Sequence, residues 1–258
     1  YPQLATFRGR VVAAYVDTRG ASAGRHTFRL SQDSGQTWGP EFTPFGAATF
    51  NADTFAPRVV ASRDGQTLYV FSAGGGGIPE YRATTDVALA LWSAPAPAGD
   101  ASMLPASGNN CGNSSPECYR AHAFGFMETA TPGSWLYIAK SSAGYGQSGR
   151  GTQVGSLGGS WSPQVDHFGS GGLSGCCGES TASTFLDGDG NVIYARTWAE
   201  GWQLYYRRST DGGYTWGPRV EAYSPTIGFL AIGSPVGVSV PGYPYRDYVY
   251  YAGFGGGE

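Results

Sequence analysis

The chain has 258 residues and a hydrophobic content of 41%, enough apolar material for one large domain or two small ones, and a formal net charge of −3. That balance leaves no basic footprint for nucleic acid, and no apolar run approaches the ~18 residues of a membrane span. Forty-two glycines and a 14% aromatic share, beside the single lysine Lys140, disfavour long helices and predict an all-β chain rich in turns.

The first predicted unit is "PQLATFRGRVVAAYVDTRG" (2–20), two alternating β runs joined at Arg8-Gly9-Arg10, followed by a third strand, "HTFRLS" (26–31). It ends in "SQDSGQTWGP" (31–40). In that phrase Asp folds back on nearby backbone amides, Gly supplies a positive φ, and Thr-Trp starts the returning strand. The Trp is expected to fill the gap between this hairpin and the next sheet.

The second unit pairs "PRVVASRDGQTLYVFSAG" (57–74) with a third strand at "DVALALWS" (86–93) and a weak echo of the phrase at "APAPAGD" (94–100). The third pairs "AHAFGFMETATPGSWLYIAK" (121–140) with "TQVGSL" (152–157), and its echo "GGSWSP" (158–163) keeps Trp161. The fourth joins "STASTFLDGDGNVIYARTW" (180–198) to "WQLYYRRS" (202–209) and a second full phrase, "STDGGYTWGP" (209–218). A fifth hairpin, "SPVGVSVPGYPYRDYVYYAG" (234–253), follows. Four strands in every ~50–60 residues match the blade of a β-propeller.

Hairpin, third strand and S-x-D-x-G-x-T-W together resemble the Asp-box, or BNR, repeat of the sialidase-like β-propeller superfamily. Asp33, Trp38, Asp211 and Trp216 are its structural box residues in this chain. The resemblance implies a six-bladed ring. About four and a half blades are read here, at roughly 1–48, 54–108, 119–169, 178–225 and 229–258 of a single domain. Residues outside this stretch, or other chains, are therefore expected to complete the ring. The sequence opens at Tyr1, so any targeting segment is expected to have been removed or left out.

Strand alternation gathers Gly-rich loops on the face opposite the boxes, including 18–26, 48–55, 73–86, 105–120, 141–151, 169–180 and 198–202. Tyr81, Tyr145, Trp198 and Trp202 offer flat faces for sugar rings there, or pack beneath the loops. Sialidases grip a carboxylate with three arginines and use a Tyr nucleophile, a Glu that activates it and an Asp general acid. The resemblance assigns the Glu role to Glu179 and substrate binding to Arg196, which flank "ESTASTFLDGDGNVIYAR" in the family's order. Asp17 and Arg19 in "YVDTRG" match a D-x-R of the family's first blade. The family's acid Asp is missing from "GASAGRH", so Asp17 or Asp53 must replace it. The nucleophilic Tyr and third Arg belong to later blades, and Tyr243 and Tyr245 are expected on the wrong face.

Cys111, Cys118, Cys176 and Cys177 lie in polar stretches without zinc spacing, so disulfides in a secreted, extracellular protein are expected. Adjacent cysteines pair with strain, which favours bridges between the two loops over 111–118 with 176–177. The sequon at Asn113 is compatible with export. "DGDGN" (187–191) imitates the start of a calcium loop, but Val192 and Trp198 occupy its Gly and Glu positions, leaving a hairpin turn. No metal and no cofactor are expected, and the three histidines have no ligand spacing. The expected function is a sialidase-like glycosidase, an exo-glycosidase if an enzyme, with a glycan as its partner. The alternative is a non-catalytic glycan- or protein-binding or structural propeller in a larger extracellular or viral assembly.

Overall fold

The computed structural model describes residues 3–17, 25–46, 57–73, 78–103, 124–142, 148–167, 182–198, 203–223, 229–232, 236–240, 246–250 and 253–255. All regular structure in them is β. The first sheet orders β1 (Gln3–Phe7), β2 (Arg10–Asp17) and β3 (Arg25–Ser31) as an antiparallel meander, and a Phe28–Phe42 bridge stands where a fourth strand would lie. Phe7 pairs with Arg10 across a two-residue turn, which requires positive φ at Arg8 (47°) and Gly9 (74°).

Three four-stranded sheets follow. They are β4 (Arg58–Ala61), β5 (Leu68–Ala73), β6 (Pro79–Thr84) and β7 (Ala96–Pro97); β8 (Phe124–Glu128), β9 (Trp135–Ser142), β10 (Ser148–Gly155) and β11 (Val165–Asp166); and β12 (Ala182–Leu186), β13 (Val192–Trp198), β14 (Gln203–Ser209) and β15 (Val220–Tyr223). Last come β16 (Phe229–Ile232), β17 (Val236–Val240), β18 (Arg246–Tyr250) and β19 (Gly253–Gly255). β17 pairs with β18 and β16 with β19, both antiparallel, and the β16–β19 pair carries a register shift between Phe229 and Ala231.

The opening strand of each sheet lies beside that of the next, in the series β1, β4, β8, β12, β17. This is the radial order of propeller blades. Because alternate side chains leave a strand on opposite faces, each middle blade feeds two cores. Phe7, Val12, Ala14 and Phe28 of the first blade meet Val59, Leu68, Val70 and Leu89 of the second. The second blade's other face puts Phe71 flat on Phe126 of the third, centroids 4.0 Å apart, with Trp135, Tyr137 and Trp161 around them. Leu136 and Val154 then close on Val192 of the fourth blade.

Two expectations for the second blade are corrected. Its third strand is Pro79–Thr84, inside what the sequence presents as a loop, and 86–93 is a turn rather than a strand. The box-like turn is accordingly "TTDVALALW" (84–92), not "APAPAGD", which instead supplies β7 and the bend after it. Thr84 stands for the box Ser, and the Asp86 carboxylate accepts the amides of Ala88 and Ala90 at 2.9 Å and of Leu91 at 3.1 Å. Leu89 takes a positive φ of 56°.

Candidate functional site

The two ends of the blades are chemically different. At one end lie the hairpin turns and the box turns, and neighbouring blades are tied together there. The Arg63 amide donates to the Glu128 carboxylate at 2.6 Å and its guanidinium to Ala130 O at 2.7 Å. A Cβ on Gly190 would stand 3.5 Å from Ala130 Cβ and 3.6 Å from Arg63 Nη2, so three consecutive hairpin turns adjoin.

The two full phrases fold into one hydrogen-bond pattern. Ser31 Oγ donates to Asp33 and accepts the Gly35 amide, both at 2.7 Å, while the Thr37 amide donates to Asp33 at 2.8 Å. Ser209, Asp211, Gly213 and Thr215 repeat this at 2.7, 2.7 and 2.9 Å, and each Thr hydroxyl also donates to its Asp. The Thr37 hydroxyl and amide, with Ser31, hold the Asp33 carboxyl down to about 2. At Asp211 burial works against ionisation, but the Thr215 and Ser209 hydrogen bonds prevail and the carboxyl again lies at about 2. These aspartates are committed to their turns and carry no chemistry outward.

One backbone bond closes all four turns, running from the residue after the Trp to the residue before the Ser or its substitute. It is Gly39 to Leu30 at 2.9 Å, Ser93 to Ala83 at 2.9 Å, Ser162 to Val154 at 2.8 Å and Gly217 to Arg208 at 2.8 Å. Three of the tryptophans turn toward the preceding blade. Trp92 stacks on Phe42 (6.1 Å), the Trp161 indole N–H donates to Ala98 O at 3.2 Å, and Trp216 meets His167 edge-on at 4.5 Å. The gap each one fills is thus the one behind its own blade, not the gap to the next sheet expected from the sequence, because each indole leaves its turn toward the preceding blade.

In the calcium-like turn, Asp187 is buried and accepts the Asn191 amide at 2.8 Å, the Asp189 amide at 3.0 Å and Arg208 Nε at 2.8 Å. Burial raises its pKa, and the Asn191 and Arg208 contacts more than offset this. Its oxygens are engaged by the fold. Among the described residues no group of three or more His, Cys, Asp or Glu is arranged to hold a metal.

The opposite end is where β2, β5, β9 and β13 finish and where β3, β6, β10 and β14 start. Asp17 is the last residue of β2, half-buried and in register with Arg25, the first of β3. Glu80 lies near the start of β6, opposite Ser72. In the backbone of β13, Arg196 pairs with Ala182 and Tyr205, and Trp198 with Gln203, so both occupy this end of the fourth blade. Tyr81 packs on its own blade, its ring 6.1 Å from Phe71 and 6.2 Å from Tyr69, and is partly buried against the core shared with the third blade. Glu179, Arg19, Asp53, Tyr145 and Trp202 lie outside the described residues, as do all four cysteines, Asn113, Tyr243 and Tyr245.

Arg58 adds a charge at this end that sequence inspection passed over. It opens β4, in register with Phe71, and is 7% exposed. Burial lowers its pKa to about 10, so the guanidinium stays charged at neutral pH. An arginine that starts an otherwise apolar innermost strand, "APRVVA", is the signal available in the sequence. Carboxylates and guanidinia at the mouth of a rigid β scaffold can exchange protons with, and fix the orientation of, a polyhydroxylated ligand.

No protein-family model matches the chain, and neither does any curated protein. Solved structures do. An α-L-arabinanase from Penicillium chrysogenum, complexed with arabinobiose, superposes with a TM-score of 0.62 at 14% identity, covering 98% of this chain and 74% of the other. An α-L-arabinofuranosidase from Fusarium graminearum, bound to an iminosugar inhibitor, gives 0.59 at 13% identity over 98% and 74%. The catalytic domain of a GH62 α-L-arabinofuranosidase from Coprinopsis cinerea gives 0.56 at 14% identity over 100% and 85%. The chain thus has an all-β propeller fold, and its structural neighbours are propeller-fold glycoside hydrolases.

Proposed function

We propose that the chain is a glycan-directed glycoside hydrolase whose site lies at the strand ends that carry Asp17, Arg58, Glu80 and Arg196. The observation that carries this is the placement of Asp17, Arg58, Glu80 and Arg196 at or near strand ends on the side of the blades away from the turns. The resemblance of the fold to arabinan- and arabinofuranoside-directed enzymes supports it. Glycoside cleavage commonly uses two carboxyl groups roughly 5–9.5 Å apart, one of them protonating the leaving oxygen. Glu179 and Asp17 are the proposed pair. Arg196 and Arg19 bind substrate with Arg58, and Trp198 and Tyr81 flank it.

The ring is proposed to have six blades, about four and a half of them in residues 1–258 at the boundaries read from the sequence. A secreted, extracellular setting with oxidised cysteines belongs to the same proposal. The sialidase-like alternative for the substrate rests on the Glu179–Arg196 pattern and the two boxes. On a sialoside Glu179 activates a Tyr nucleophile, and Arg196 holds the substrate carboxylate.

A panel of arabino-oligosaccharides, aryl α-L-arabinofuranosides and sialosides, read by released sugar, tests this reading. Cleavage of one class identifies the substrate. Binding to a glycan array without turnover of any glycoside overturns hydrolysis in favour of a binding propeller.

A further inference from the structure

Glu80 differs from the carboxylates of the turns. Asp33, Asp64, Asp86, Asp187 and Asp211 accept amides of their own turns, and Glu128 accepts those of Arg63 and Gly133. At the opposite end, Asp17 faces Arg25 across one rung of the ladder. Among the described residues, no hydrogen bond or ion pair reaches the half-buried Glu80 side chain. Its in-register neighbours are Ser72 on β5 and Pro97 on β7, neither of them charged. Arg82, two residues along the same face, is already engaged: Nε donates to Ser93 O at 2.6 Å and Nη1 to Pro44 O on the first blade. Gln153 and Arg207 make the same kind of inter-blade tie, to Ser102 O of the second blade at 2.8 Å and His167 O of the third at 3.2 Å.

Strand alternation decides which seam Glu80 faces. Leu68 and Val70 of β5 enter the core shared with the first blade, so Ser72 ends the same row, and the ladder sets Arg82 opposite Val70 and Glu80 opposite Ser72. Ser72 is 1% exposed, and its Oγ has no hydrogen-bond partner among the described residues. On the first blade Val12, Ala14 and Phe28 line that core. His26, two residues before Phe28, continues their face and is buried, its ring 6.4 Å from Phe45. The apolar seam between the first two blades therefore ends, away from the turns, in a hydroxyl, a carboxylate and an imidazole. A buried hydroxyl left unpaired costs free energy, and beside an unpaired carboxylate it offers hydrogen bonds that the fold itself does not use.

We propose that Glu80 and Ser72 form an outer sugar subsite at the seam between the first and second blades, where Glu80 accepts hydroxyls of a neutral sugar unit and Ser72 lies at the floor. β6, which carries Glu80, stands two strands out from β4, which carries Arg58, or roughly 10 Å at ~4.8 Å per strand. The unit held there is one further along the chain than the unit at the centre, so the substrate is an oligosaccharide rather than a single glycoside. A carboxylate with no cation beside it repels a carboxylate-bearing sugar and favours a neutral one, whose hydroxyls give charge-assisted hydrogen bonds. The inference rests on the hydrolase reading for the position of the cleaved bond.

The test compares kcat/KM on arabinobiose and arabinopentaose for the unsubstituted protein, Glu80→Ala and Ser72→Ala. The expected result is a fall in the pentaose-to-biose ratio of roughly tenfold or more for Glu80→Ala, the scale of hydrogen bonds to a charged group, and a smaller fall in the same direction for Ser72→Ala. Equal losses on the two substrates place Glu80 at the cleaved unit and overturn the proposal, as does an unchanged ratio without loss. If the unsubstituted protein cleaves neither, the hydrolase reading fails on these sugars, and titration calorimetry with arabinopentaose decides the subsite separately. A Kd weakened roughly tenfold by Glu80→Ala supports it. An equal Kd, or no binding by the unsubstituted protein, overturns it. If Glu80→Ala does not fold, Glu80→Gln and Ser72→Ala carry the same comparisons.

Discussion

Asp33 and Asp211 show how much of each turn depends on one carboxylate. Their pKa values lie near 2 in the folded chain, below the ordinary carboxylate value of 3.8. A depressed folded pKa contributes stability that is present above the unfolded value and lost as pH falls through the folded one. Tm should therefore hold down to about pH 4 and decline between about pH 4 and 2. The double variant Asp33→Asn, Asp211→Asn should start lower at pH 7 and lose less in that window, as read by calorimetry across pH. Tyr137 works in the opposite sense. Its hydroxyl is wholly buried without a partner among the described residues, and burial pushes its pKa upward. Tyr137→Phe removes an unmet hydrogen bond at constant shape, so it should stabilise by about 1 kcal/mol in denaturant unfolding. At this scale the boxes were legible because Ser, Asp, Gly and Thr each answer a local backbone need. Arg58 and the Arg82, Gln153 and Arg207 ties were not, because their acceptors or surroundings come from another strand or blade.

Among the elements, the hairpins were legible from alternation, since one residue in two must reach a core. The strand Pro79–Thr84 was hidden by the glycines before it and by polar side chains at Glu80 and Arg82, the latter an inter-blade tie rather than a solvent-facing charge. The turn after it was hidden because Leu89, not Gly, takes the left-handed backbone position. Backbone closure by Ser93 and Ala83 reproduces the box geometry without the box letters. Asp86→Ala should lower Tm and speed amide exchange at Ala88, Ala90 and Leu91, whereas exchange at Gly35 and Gly213 should stay as it is. The seam between the second and third blades has little slack: a Cβ on Gly99 would stand 2.2 Å from Trp161 Nε1 and 2.9 Å from Met103 Sδ. Gly99→Ala should cost roughly 1–3 kcal/mol by denaturant unfolding, the range for an overpacked core.

For the whole molecule, the blade architecture confines the boxes and hairpin turns of the described residues to one end, and the proposed site lies at the other. That division was readable from strand direction alone. Which loop residues meet there was not, since convergence across blades is set by ring geometry rather than by local pattern. Glycoside hydrolysis at that end is the central claim, and Glu179 is its most exposed commitment. On whichever glycoside the protein cleaves, kcat of Glu179→Gln should fall by about 100-fold or more, the usual scale for removing a positioned acid–base group, while KM changes little. Wild-type turnover of Glu179→Gln, or no cleavage of any glycoside by the unsubstituted protein, would contradict the account.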